Sequence, residues 1–240
     1  MRRRALMANT HQKKMELGNY LTIEALANDM YVKLNTADCE YCIDGSGTWI
    51  PLAGGTASPS LQKSQKISFR GYIKPNSSTG SGTFSISQKC KVSGNALSLL
   101  YGDDAQSQTT LPSYAFKGLF KNVSNLTDAK DLILSAVQLS SYCYEEMFYG
   151  TKIVNAPVLP AITISPAAVY RRMFYNCSAI RYIKAMFTTN ISDYSSQTKE
   201  WLLYAANSTD CVFVKNKKAT WTLQGTNGIP PNWVVQTADE

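Results

Sequence analysis

Few residues in this sequence can do chemistry, and their types narrow the options quickly. The only histidine among 240 residues is His11, in a polar stretch near the start. A Ser-His-Asp relay would have to recruit it from there, and the sequence has no GxSxG, no HExxH and no Gly-rich phosphate loop. Two acidic pairs stand out, Asp103-Asp104 and Glu145-Glu146. Glycoside hydrolysis needs two carboxylates roughly 5–10 Å apart across a cleft, which neighbours in sequence do not supply. A surface turn or a solvated helix face accounts for both pairs. Cysteines stand at 39, 42, 90, 143, 177 and 211, with Cys39-x-x-Cys42 as the only close pair. A closed zinc site would need a second such pair. A thioredoxin-like centre would need a helix after Cys42, where Ile43-Asp44-Gly45-Ser46-Gly47 reads as a hairpin turn. The expectation is no enzymatic activity, no cofactor, no metal, and buried reduced thiols.

Charge narrows the partners. The chain carries 24 Lys and Arg against 17 Asp and Glu, a net +7. Much of the excess lies in residues 1–18, where Arg2, Arg3, Arg4, Lys13 and Lys14 face Glu16 alone. A secretion signal would follow such a start with an apolar stretch of roughly 7–15 residues. Here Ala5-Leu6-Met7-Ala8 gives way at once to polar residues. The segment therefore reads as a basic arm, either solvated or anchoring the protein to an acidic or polymeric partner. The rest is nearly neutral with scattered cations, so sequence-specific nucleic-acid binding is not expected. No apolar run approaches the roughly 20 residues of a membrane-spanning helix.

The elements that must position any site divide the chain in two. Over residues 19–91, apolar residues alternate with polar ones: Leu21, Ile23 and Ala25, then Ile67 and Phe69, then Phe84 and Ile86. Asp44-Gly45 joins two such runs, the strongest short hairpin signal. An all-β, sandwich-like module is expected.

After residue 91 the period changes. Tyr114–Phe120, Tyr142–Phe148 and Ala168–Phe174 superimpose, and the closing Phe recurs after 28 and then 26 residues. Ser113, Ser141 and Ser165 precede these segments, and Pro166 suits a first helical position, so each reads as a short capped helix. A period in the twenties predicts a solenoid of one short helix and one short parallel strand per unit, with stacked core aromatics. Residues 92–191 would hold the degenerate repeats and 192–240 a capping segment, with a helix near 197–206. Exposed groups in or near the repeat strands are the candidate binding residues: Lys152, Asn155, Arg181, Tyr182 and Lys184.

The repeat YCYEEMFYGTKIVNAPVLPAITI resembles the BspA-like leucine-rich repeats, and CVFVKNKKATWTLQGTNGIPPNWVV resembles the terminal cap of such proteins from gut Bacteroidales and their tailed phages. The leading part, with YLTIEALANDMYVKL and CEYCIDGSGTWIPL, is similar to the β-module that precedes those repeats. The resemblance implies an α+β chain: a β-module, a short leucine-rich-repeat solenoid and a C-terminal cap. It implies protein or glycan recognition and brings no catalytic residues. The expected function is a non-enzymatic virion structural or appendage protein, docked through its N-terminal part to other virion proteins, as one copy or as a symmetric homo-oligomer. The alternative is a bacterial cell-surface adhesin that binds host protein or glycan.

Overall fold

Alternation of β-branched and aromatic residues with polar ones drives the first hundred residues into strands, because one face of each can then be buried. In the computed structural model residues 17–71, 73–75, 82–192 and 195–238 are described; His11 and the basic arm, with Arg2, Arg3, Arg4, Lys13 and Lys14, lie outside them. The strands of this part are β1 (Leu21–Ala25), β2 (Val32–Leu34), β3 (Cys39–Ile43), β4 (Ile50–Leu52), β5 (Lys66–Arg70), β6 (Phe84–Ile86) and β7 (Cys90–Asn95). The second half adds β8 (Leu126–Ile133), β9 (Tyr182–Ala185), β10 (Val212–Asn216) and β11 (Val234–Ala238).

The largest sheet runs β4-β3-β5-β1-β7-β8. β7 and β8 are parallel, while the other pairs in it are antiparallel. The sheet therefore takes its last strand from the second half of the chain and is not a closed sandwich of the first half alone. A second sheet, β11-β10-β9, is parallel throughout. The stretch around Asn155 links the two: Ala129 N–H donates to the Asn155 carbonyl, and Asn155 bridges Tyr182 in parallel fashion.

The expected α+β class, with a helix in each leucine-rich repeat, is overturned. Strand makes up 29% of the described residues and helix 6%, and the sheets are not solenoidal. Among the described residues the one α-helix, α1, is the single turn Ser98–Tyr101. The segments read as helices are chains of tight turns. Every fourth residue adopts a left-handed backbone: Tyr114, Gly118 and Asn122, then Tyr142, Glu146 and Gly150, then Ala168, Arg172 and Asn176. A right-handed helix cannot accept such a residue in each turn.

The hydrogen bonds follow the same alternation. Lys117, Leu119 and Lys121 donate to carbonyls three residues back, at Tyr114, Phe116 and Gly118. Between them Phe116, Gly118 and Phe120 donate outward, to the carbonyls of Cys143, Glu145 and Met147 in the next turn segment. The second segment bonds the third in the same way, and the third bonds residues 197–203. Four ribbons of turns are thus laced side by side by their main chains. The serines before these segments cap no helix, and residues 197–206 form the fourth ribbon in place of the expected helix.

Stacked rings fill the interior. Phe84 of β6 stacks on Phe120 at 5.3 Å, Phe120 on Phe148 at 5.7 Å, and Phe148 on Phe174 at 5.7 Å. A single buried cluster reaches from Leu21 through these rings to Trp233.

Candidate functional site

The registers place one residue from each of seven strands, with Asn155 between β8 and β9, in a transverse row. Lys66 pairs with Glu24, Glu24 with Lys91, and Lys91 with Asp128. The Asn155 amide donates to Asp128 Oδ2 at 2.6 Å, Asn155 bridges Tyr182, and Tyr182 pairs with Val212 and Val212 with Val234. The row begins as an ionic ladder, with Glu24 3.6 Å from Lys66 Nζ and 3.1 Å from Lys91 Nζ. It ends as tyrosine beside valines.

Alternation along β9 decides what points outward. Ile183 and Ala185 are fully buried, so Tyr182 and Lys184 project from the opposite side, and both are half-buried. Lys184 is aligned with Val214 and Gln236 in a second row. Of the candidate binding residues, Asn155, Tyr182 and Lys184 therefore share one face. Lys152 and Arg181 stand at the strand entrances, held by Ser178 at 2.8 Å and Asp210 at 3.1 Å respectively. Val212, Val234 and Asp128 complete the face and were not picked out from the sequence, while Val214 is buried. Their parallel register joins residues some thirty positions apart, which no local pattern reports.

The acidic pair Glu145-Glu146 is not on a solvated helix face. Both side chains are buried between ribbons. Glu145 lies 3.1 Å from Lys117 Nζ and accepts from Arg171 Nε at 2.5 Å. Glu146 lies 2.8 Å from Lys121 Nζ and 3.9 Å from Arg172, which in turn pairs with Glu200 at 2.6 Å. Charges alternate in sign from ribbon to ribbon, which fixes the ribbons' order. The other acidic pair is split. Asp103 accepts from Arg70 Nη1 at 2.9 Å and from the Tyr20 hydroxyl at 2.8 Å. The Arg70 guanidinium lies 4.4 Å from the Trp49 ring centroid. Partial burial, then the bond to Asp103, pushes the Tyr20 hydroxyl up to about 12. This cluster draws on residues 20, 49, 70 and 103, and nothing in the sequence links them.

All six cysteines are buried and free, including Cys39 and Cys42. Burial raises the thiols of Cys39, Cys90 and Cys143 from 9.0 to about 12. Among the described residues no group of His, Cys, Asp and Glu is disposed to hold a metal ion, and no helix is long and apolar enough to cross a membrane. The chain matches no family model, no curated protein and no solved structure.

Proposed function

We propose that this chain is a non-enzymatic binding and assembly module, a structural or appendage protein of a tailed-phage virion. It docks through its N-terminal arm and offers the outward strand face to a protein or glycan. One observation carries the contact half of this reading: Tyr182 and Lys184 project together from β9, beside Asn155, Val212 and Val234 in register. Tyrosine supplies a broad, rigid contact area at low entropic cost, and its ring suits stacking on a sugar. Short polar groups and half-exposed valines around it supply hydrogen bonds and apolar area. The virion half is supported by the resemblance of the repeat and terminal sequences to proteins of gut Bacteroidales and their phages.

The test is peptide mass spectrometry on gradient-purified phage particles and, separately, on the outer-membrane fraction of the host. Stoichiometric peptides in the particles, including the arm, are expected. Peptides confined to the membrane fraction would replace this reading with a cell-surface adhesin.

A further inference from the structure

Phe116, Tyr144 and Tyr170 occupy equivalent positions in the first three ribbons, where their N–H groups donate to the carbonyls of Cys143, Val169 and Gln197. Their rings stack in a column at 6.0 Å and 5.9 Å, and Trp201 of the fourth ribbon lies 6.4 Å beyond Tyr170. Tyr144 and Tyr170 are 1% and 0% exposed, and among the described residues no protein group bonds either hydroxyl. Polar groups around them are paired. Thr151 meets the Cys177 thiol at 3.4 Å, Thr198 donates to the Asn227 carbonyl at 2.8 Å, and Trp201 Nε1 donates to the Gly228 carbonyl at 2.7 Å. Packing alone does not call for the two hydroxyls, since Phe116 fills the same position with a bare ring. A hydroxyl buried without a hydrogen bond costs stability, so two side by side call for a polar partner.

Geometry and chemistry select that partner. The two hydroxyls do not bond each other, and their rings are 5.9 Å apart and 18° from parallel. Two O–H···O bonds through one shared oxygen span about 5.5 Å, close to that ring spacing. A tyrosine hydroxyl both donates and accepts, so one molecule with two donors and two acceptors satisfies both. The fully buried Cys143 thiol stands close by. Burial first, and then that thiol, hold both hydroxyls well above the ordinary tyrosine value. Hydroxyls, a thiol and aromatic rings suit a neutral occupant, and gaps in a close-packed interior rarely exceed one water molecule.

We infer that a single buried water bridges the Tyr144 and Tyr170 hydroxyls and so ties the second ribbon to the third. These are the ribbons that lead into Asn155 and Tyr182, and the inference stands independently of the virion reading. The experiment counts long-lived internal waters in the full chain by oxygen-17 magnetic relaxation dispersion. It compares the unaltered protein with Tyr144→Phe, Tyr170→Phe and the double variant, and melting temperatures are taken on all four. The expected result is one long-lived water fewer in the double variant. Each single variant should melt lower, and the double variant should lose less than the sum of the two, because both hydroxyls hold the same molecule. An unchanged water count would overturn the assignment. So would a melting temperature that stays or rises in the single variants, the sign of hydroxyls buried without a partner. Additive losses would place the two hydroxyls on separate partners and overturn the bridge.

Discussion

Arg171 Nε donates to Glu145 Oε1 at 2.5 Å, across two ribbons, and the glutamate has no exposed surface. On its other side Lys117 stands 3.1 Å from Oε2, close enough to pair in charge, though the geometry of a hydrogen bond is not met. Removing one partner of a buried pair costs about 3–5 kcal/mol, because the other charge is left without compensation. Glu145→Ala takes the carboxylate away from Lys117, which is nearly buried, and from Arg171, which still reaches water. A loss near the lower end of that range is expected in urea unfolding, and a loss under about 0.5 kcal/mol, typical of a surface change, would contradict the ladder.

Gly118 distinguishes turns from a helix by the sign of one substitution. Its φ is +64°, and an added Cβ would meet only ordinary contacts with Lys121 at 3.7 Å and 3.8 Å. Backbone strain is then the only penalty, about 1–2 kcal/mol for a side chain held in the left-handed region. In a helix the same Gly→Ala change would stabilise by up to about 1 kcal/mol. Gly118→Ala should therefore lower the melting temperature, and a rise would restore the helix.

Phe148 is fully buried between Phe120 and Phe174, 5.7 Å from each. Phe148→Ala should cost about 3–5 kcal/mol as a cavity in a stacked core. Tyr204, edge-on to Tyr175 and mostly exposed, should tolerate alanine within about 0.5 kcal/mol. Equal costs at the two positions in a denaturation series would contradict the described interior.

The thiols give a pH test. Cys39, Cys90 and Cys143 have a folded-state value of about 12 against an ordinary 9.0. A thiol raised in this way favours the folded state fully below about pH 9, and that contribution is lost as pH rises towards 12. Stability should fall on the alkaline side of pH 9. Cys39, Cys90 and Cys143 should also show no fast reaction with a disulfide reagent near pH 8, since the thiolate is the reactive form. Rapid labelling of any of these three before unfolding, read by peptide mapping, would contradict their burial.

Part of this arrangement was legible in the residues. Asp44-Gly45 marked the β3–β4 hairpin, and the alternation of Leu21, Ile23 and Ala25 marked β1. The ring positions Phe116, Phe120, Tyr144, Phe148, Tyr170 and Phe174 were also readable, since spacing by four serves a helix and a ribbon of four-residue turns equally. That same equivalence hid the backbone. Gly118, Asn122, Gly150 and Asn176 suit a left-handed conformation, but Tyr114, Glu146 and Arg172 adopt it too and give no signal. Their conformation is held by main-chain bonds to the next ribbon, a tertiary effect that overrides local preference. The candidate face was half legible for a related reason. Tyr182 and Lys184 were readable as exposed groups of a repeat strand, but their alignment with Val212 and Val234 depends on how the ribbons stack.

The face itself is tested most directly by binding to isolated Bacteroidales cell envelopes, measured by co-sedimentation of the purified chain. Tyr182→Ala combined with Lys184→Ala is compared with the unaltered protein, and melting temperatures are taken on both. The account expects the unaltered chain to sediment with the envelopes and the double variant to remain in solution, with melting temperature unchanged. Equal sedimentation of both proteins, or none of either, would contradict a binding role for this face.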